Sequence, residues 1–226
     1  MKKILSILLV LLMSVTMYAQ KDVTKFLGIP VDGTKTEMMN KLKAKGFVPS
    51  SYDSNILEGE FNGFDVILYI GTNNNKVYRI MLCDKICQNE VRTKIRFNRL
   101  CRQFENNSNY VAFEDFTIPE DEEISYEMSV NKKRYEAAFY QRPDTTTLAQ
   151  NLNDLNYLIS QKYTQEEQDN PTEEVQEDIK SITLKYLLNL LDKKTVWFKI
   201  DSDEEGEYYI AMYYDNKYNE ANGEDL

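Results

Sequence analysis

The chain of 226 residues contains no histidine. That absence removes the commonest general base, the usual partner of a serine or cysteine nucleophile, and the commonest zinc ligand. Catalysis would have to rest on carboxylates. None of the 37 Asp and Glu residues forms a pair whose glycine or aromatic flanks mark a glycosidase-like site. Asp201-Ser202-Asp203-Glu204-Glu205-Gly206 opens like a calcium loop, with oxygen ligands at alternate positions and glycine sixth. The twelfth position, where an EF-hand carries its bidentate acid, is Met212, so the stretch reads as an exposed turn. Neither a metal nor a cofactor is expected.

The better candidate is aromatic. Residues 195–200 and 207–214 read as two strands of a hairpin around that turn. If Phe198, Ile200, Ile210, Met212 and Tyr214 face a core, then Trp197, Tyr209 and Tyr213 share the opposite face and lie near one another. Exposed aromatics beside acids suit recognition of a protein or a glycan. The competing reading is that a helix covers this face and makes it ordinary core. Arg92, Arg96 and Arg99 form a basic stripe, read as a solvated helix face or an intramolecular partner for the acidic C-terminal part, with an anion or an acidic partner as the alternative ligand.

Cys83, Cys87 and Cys101 cannot all pair within one chain. Cys83 with Cys87 or with Cys101 is sterically open. Cys87 and Cys101 would sit about 21 Å apart along an intervening helix and should not bond to each other. Three buried reduced thiols are the simpler state.

The elements that must hold these residues follow from hydrophobic period and turn chemistry. Residues 56–61, 64–70 and 76–82 form an antiparallel meander divided by Asn62-Gly63 and by the 71–75 run. A first helix opens on the capping box Thr34-Lys35-Thr36-Glu37 and stops at Gly46. A second, residues 88–104, has the apolar arc Cys87, Val91, Ile95, Phe97, Leu100, Cys101 and Phe104. Residues 110–113 suggest a short strand, and 124–130 alternate as a half-buried strand that turns back into 134–140. A third helix, 145–163, is expected to be capped by Asp144, and a fourth spans 172–191. Leu184, Leu187, Leu188 and Leu191 add a second apolar side to the fourth helix, which calls for burial against the third helix or another subunit. Residues 215–226 form a polar tail expected to fray. The class is α+β, an antiparallel sheet of meanders and hairpins with about four helices on one side. Residues 20–214 make one domain, with 20–106 and 107–214 as candidate copies of a helix-plus-sheet unit.

Residues 1–19 read as a cleaved signal: Lys2-Lys3, an apolar run and Ala19. A periplasmic or secreted protein is therefore expected, with no membrane insertion after cleavage. The net charge of −10 argues against nucleic-acid partners. It is uneven, with 14 Lys/Arg against 10 Asp/Glu in residues 20–106 and 6 against 17 in 164–226, so the two ends can attract each other.

Phe26-Leu27-Gly28-Ile29-Pro30-Val31-Asp32-Gly33-Thr34, Gly59-Glu60-Phe61-Asn62-Gly63, and the ending Tyr214-Asp215-Asn216…Asn219…Asn222-Gly223-Glu224-Asp225-Leu226 resemble a family of uncharacterised exported proteins of anaerobic Gram-negative gut bacteria. The resemblance implies export and a globular fold and carries no activity. The order of helix then sheet, with Gly33-Thr34 opening the first helix, is loosely similar to β-lactamase-inhibitor-like tandem-repeat proteins, which are binding proteins. The expected function is non-enzymatic binding or scaffolding toward a protein or glycan. The alternative is a histidine-free carboxylate enzyme such as a glycan hydrolase.

Overall fold

A computed structural model describes residues 21–221 and 223. The expected signal, residues 1–19, and the last residues of the tail lie outside the described residues. In chain order the elements are β1 (Lys25–Phe26), β2 (Ile29–Pro30), α1 (Lys35–Lys43), β3 (Val48–Pro49), β4 (Leu57–Phe61), β5 (Phe64–Asn73), β6 (Lys76–Asp84), α2 (Glu90–Glu105) and β7 (Tyr110–Val111). There follow α3 (Ile124–Ser129), β8 (Glu136–Gln141), a 3-10 turn (Thr145–Thr147), α4 (Leu148–Ser160), α5 (Gln165–Asp169), α6 (Glu173–Asp192), β9 (Thr195–Ser202) and β10 (Tyr208–Asp215).

Eight strands form one antiparallel sheet in the order β3-β4-β5-β6-β10-β9-β8-β7, and β1-β2 make a separate small hairpin. Each half of the chain supplies a helix and then four strands, α1 with β3 to β6 and α2 with β7 to β10. The two sets meet along β6 and β10, and each runs outward from that seam in descending chain order. The α+β class and the antiparallel sheet agree with the sequence reading. The two halves share one sheet and one core.

That core lies on a single face. Leu57, Leu68, Leu82, Met212, Phe198 and Ala137 are successive partners across six strands, and all are buried. Met38 and Leu42 of α1 and Phe97, Leu100, Cys101 and Phe104 of α2 cover them. Because side chains alternate along a strand, the other face carries the remaining set, and neither α1 nor α2 reaches it.

Local chemistry explains the boundaries. Thr34 Oγ1 accepts from Glu37 N at 3.3 Å and Glu37 Oε2 accepts from Thr34 N at 2.9 Å, so the predicted capping box closes. Asn62 and Gly63 both adopt positive φ, 54° and 78°, as a two-residue hairpin turn requires. The next turn is Asn74-Asn75, at φ 48° and 61°, and not the whole 71–75 run. Gly71 sits inside β5 at a register shift, and a Cβ there would lie 3.1 Å from the Tyr78 ring.

Several expectations need correction. Residues 124–129 form the helix α3, with Val130 as its C-cap, and not a strand. The Glu90 carboxylate of α2 accepts from Ile124 N at 2.5 Å and Ser125 Oγ at 2.6 Å, so a cap from a distant element decides the conformation. Asp144 does not cap the third helix; its carboxylate takes Lys25 Nζ at 2.5 Å, and the helix starts three residues later behind a 3-10 turn. Between the expected third and fourth helices the chain forms the short helix α5. Leu184, Leu187 and Leu188 are exposed, so α4 does not bury the second apolar side of α6. Leu27 is exposed at the tip of the β1-β2 hairpin, while Phe26 and Ile29 pack inward. The tail is pinned where it was expected to fray: Asn216 is buried and its Nδ2 donates to Val31 O at 2.7 Å, and Asn219 Nδ2 donates to Asp32 Oδ1 and Val77 O at 2.8 Å each.

The second helix is rotated relative to the expected arc. Val91 and Ile95 are exposed, whereas Arg96 turns inward and is buried. Arg96 Nε and Nη2 donate to Asp84 at 2.8 and 2.5 Å, and the guanidinium lies 3.5 Å from the Phe64 ring centroid. Arg92 and Arg99 stay outside. The basic stripe is therefore broken by its middle member, which serves as an internal partner.

Candidate functional site

Trp197 on β9 and Tyr213 on β10 are direct cross-strand partners on the face opposite the core, and their rings stack at 4.0 Å with 11° between planes. Arg79 of β6 reaches over both, 5.7 Å from the Trp197 centroid and 5.1 Å from that of Tyr213. Its neighbour across the strand pair is Asp215. The Asp215 carboxylate accepts from Arg79 Nε at 2.6 Å, from Arg79 Nη2 at 2.8 Å and from Trp197 Nε1 at 2.8 Å. This bidentate pair raises the Arg79 pKa, and burial raises that of Tyr213. Two aromatics, a cation and a carboxylate are thus locked together by their own contacts.

Tyr209 is on the same face but pairs with Asp201, four residues along β10 from Tyr213 and so about 14 Å away. The Lys199–Asp201 ion pair, at 2.7 Å, stands on β9 between Trp197 and the Tyr209 position. The three predicted residues therefore share a face without forming one cluster. Trp197 and Tyr209 are half-buried, and Tyr213 is 9% exposed because its neighbours cover it.

The wider face was missed by sequence reasoning. Ala138, Trp197, Tyr213, Met81 and Tyr69 are successive partners on five strands, a row about 19 Å wide at 4.8 Å per step. Tyr69 is 38% exposed, and Ile67, Met81 and Cys83 are partly exposed beside it. The expectation that a helix covers this face does not hold for α1 and α2, which pack on the other side, and the main approach of α6 to the sheet is at β8, one strand from its edge. Arg79 and Asp215 carried no local signal, because only the β6-β10 pairing brings them to Trp197.

Other chemistry is limited. Cys83, Cys87 and Cys101 are all free, and of the three only Cys101 is fully buried. Burial pushes the Cys83 thiol up to about 11 and Cys101 up to about 12, which keeps both protonated at neutral pH. Among the described residues no group of three or more Cys, Asp or Glu could hold a metal ion. The calcium-like stretch is a turn in which Asp203 Oδ1 accepts from Glu205 N and Glu207 N at 3.0 and 2.9 Å. No helix among the described residues is long and apolar enough to cross a membrane.

Replacing Asp215 by Asn keeps one acceptor but removes the charge that holds Arg79 and the indole. Asp215→Asn is expected to lower unfolding stability by about 1–3 kcal/mol and to change the emission of Trp197, the only tryptophan. Chemical denaturation followed by fluorescence reads both effects; unchanged emission would mean that the indole is held by its stacking alone.

The chain gives no match to a protein-family model, to a curated protein or to a solved structure.

Proposed function

We propose that this is an exported, non-enzymatic binding protein whose helix-free sheet face docks onto another protein. The row from Ala138 to Tyr69 supports the reading: it is wide, shallow, largely apolar and rigidly held. Rigid aromatics lose little conformational entropy on binding and make effective anchors. A glycan is the poorer occupant of this row. Sugar recognition needs free hydrogen-bonding groups beside an aromatic plane, and here the indole N–H, the guanidinium and the carboxylate satisfy one another. Export is supported by the charged, apolar and small-residue pattern of residues 1–19.

A carboxylate hydrolase is the second reading, because Glu114 and Glu136 face one surface notch beside Trp197. A glycan hydrolase holds its two carboxylates in a cleft that encloses the scissile bond, and both of these side chains are exposed.

The test is site-specific photo-cross-linking in the native cell, with the cross-linking residue at Met81 or Tyr69 and, as a control, at Ile95 on the exposed side of α2. The expected result is a discrete adduct from the sheet positions, lost in Trp197→Ala, and none from Ile95. Adducts from Ile95 alone, or adducts indifferent to Trp197→Ala, would sink the proposal.

A further inference from the structure

The outer edge of the second half is only partly paired. β7 reaches Gln141 and Tyr140 alone, so residues 136–139 of β8 have a strand neighbour on the β9 side only. Beyond β7 the chain brings Phe113, Glu114 and Phe116 alongside. With Glu136, Tyr140 and Trp197 they line a notch of about 340 Å³, and the Phe113 ring lies 5.3 Å from that of Tyr140.

Two carboxylates and four aromatic rings therefore meet beside an unpaired strand edge. Neither Glu114 nor Glu136 is within ion-pair distance of a Lys or Arg among the described residues. Lys199, the cross-strand neighbour of Glu136, is engaged by Asp201. Aromatic faces attract cations, and a Lys or Arg stem lies well along such rings while its charged head reaches the carboxylates. The free edge can accept an extended backbone as an added strand. The net charge of −10 would steer a basic partner toward the protein.

We propose that the notch takes a lysine or arginine side chain of a partner protein, carried on an extended segment laid along the free edge of β8. This occupant presupposes that the partner docks on the sheet face, and it names the partner's chemistry there.

Trp197 is the only tryptophan, so its fluorescence reports this notch directly. The probe is a blocked peptide of alternating Thr and Lys, titrated at low ionic strength; its acetyl-lysine counterpart and maltohexaose are the comparisons. The Thr-Lys peptide is expected to give a saturable change. Glu114→Gln with Glu136→Gln should weaken it about tenfold, and Phe113→Ala should weaken it severalfold. All three substitutions are at exposed positions, where folding is little affected. Equal binding of the acetylated peptide, full affinity in the double Gln variant, no saturable change with the Thr-Lys peptide, or saturation by maltohexaose instead would each overturn the proposal. If it fails while Met81 adducts persist, only the cationic occupant is lost; if the adducts also vanish, the sheet-face reading falls with it.

Discussion

Arg96→Met is expected to destabilise the protein by about 3–5 kcal/mol, because it leaves the Asp84 carboxylate in the interior without its cation. Both side chains of the pair are 5% exposed. Asp84 also accepts from Ile210 N at 3.2 Å, so it joins three elements: β6, α2 and the start of β10. Burial lowers the Arg96 pKa and Asp84 pulls it back up. Arg96 Nη1 is buried with no hydrogen-bond partner, so the pair is not fully satisfied even when intact. The double variant Arg96→Met with Asp84→Asn removes the charge and keeps an acceptor for Ile210 N. It should recover at least half of the loss. Urea denaturation with an unchanged slope checks both. A single variant costing under about 1 kcal/mol would show that water reaches the site and the pair is screened.

The second large effect is expected at Phe198. Its ring is fully buried on β9, with centroids of Phe97 at 5.0 Å, Phe104 at 5.8 Å and Phe139 at 5.9 Å. This cluster ties α2 to β8 and β9, so it joins the second half of the chain across its two layers. Phe198→Ala should cost about 3–5 kcal/mol, from lost transfer energy plus an unfilled cavity. Phe198→Leu, which keeps most of the volume, should cost less than about 1.5 kcal/mol. Thermal and urea unfolding measure the difference. Similar costs for the two would mean that the stacked ring geometry, and not volume, sets the stability of this half. Because Trp197 directly precedes Phe198 on β9 and points the other way, Phe198→Ala also links the core to the opposite face of the sheet: the emission of Trp197 should report loosening of that strand.

Residues with strong local chemistry were legible in the sequence. Thr34 and Glu37 cap their helix, Asn62-Gly63 makes its turn, and the 195–200 and 207–214 runs pair as a hairpin with Phe198 inward and Trp197 outward. Residues whose state depends on a distant partner were not. Ile124, Tyr126, Met128 and Val130 alternate like a strand, yet a helix also places Ile124 and Met128 on one side, and Glu90 from α2 tips the balance. The arginine stripe reads as a solvated face or a partner for the acidic C-terminal part, and only the packing of α2 on β6 gives Arg96 a different internal partner, Asp84. Asp215 was assigned to a fraying tail, although the β6 strand beside it extends the sheet by one more residue and supplies Arg79.

What the sequence by itself determined is the set of elements with short-range causes, the α+β class, and the division of the last hairpin into an inward and an outward face. Periods of two and 3.6, caps and turn dihedrals all act within a few residues, so a single chain displays them. The tertiary structure decided which strands lie side by side and therefore what the outward face contains. The β6-β10 seam brings Arg79 and Asp215 to Trp197, and the shortness of β7 leaves the edge of β8 open beside Glu114 and Glu136. Those pairings are set by burial summed over the whole core, a quantity that no local stretch of sequence carries.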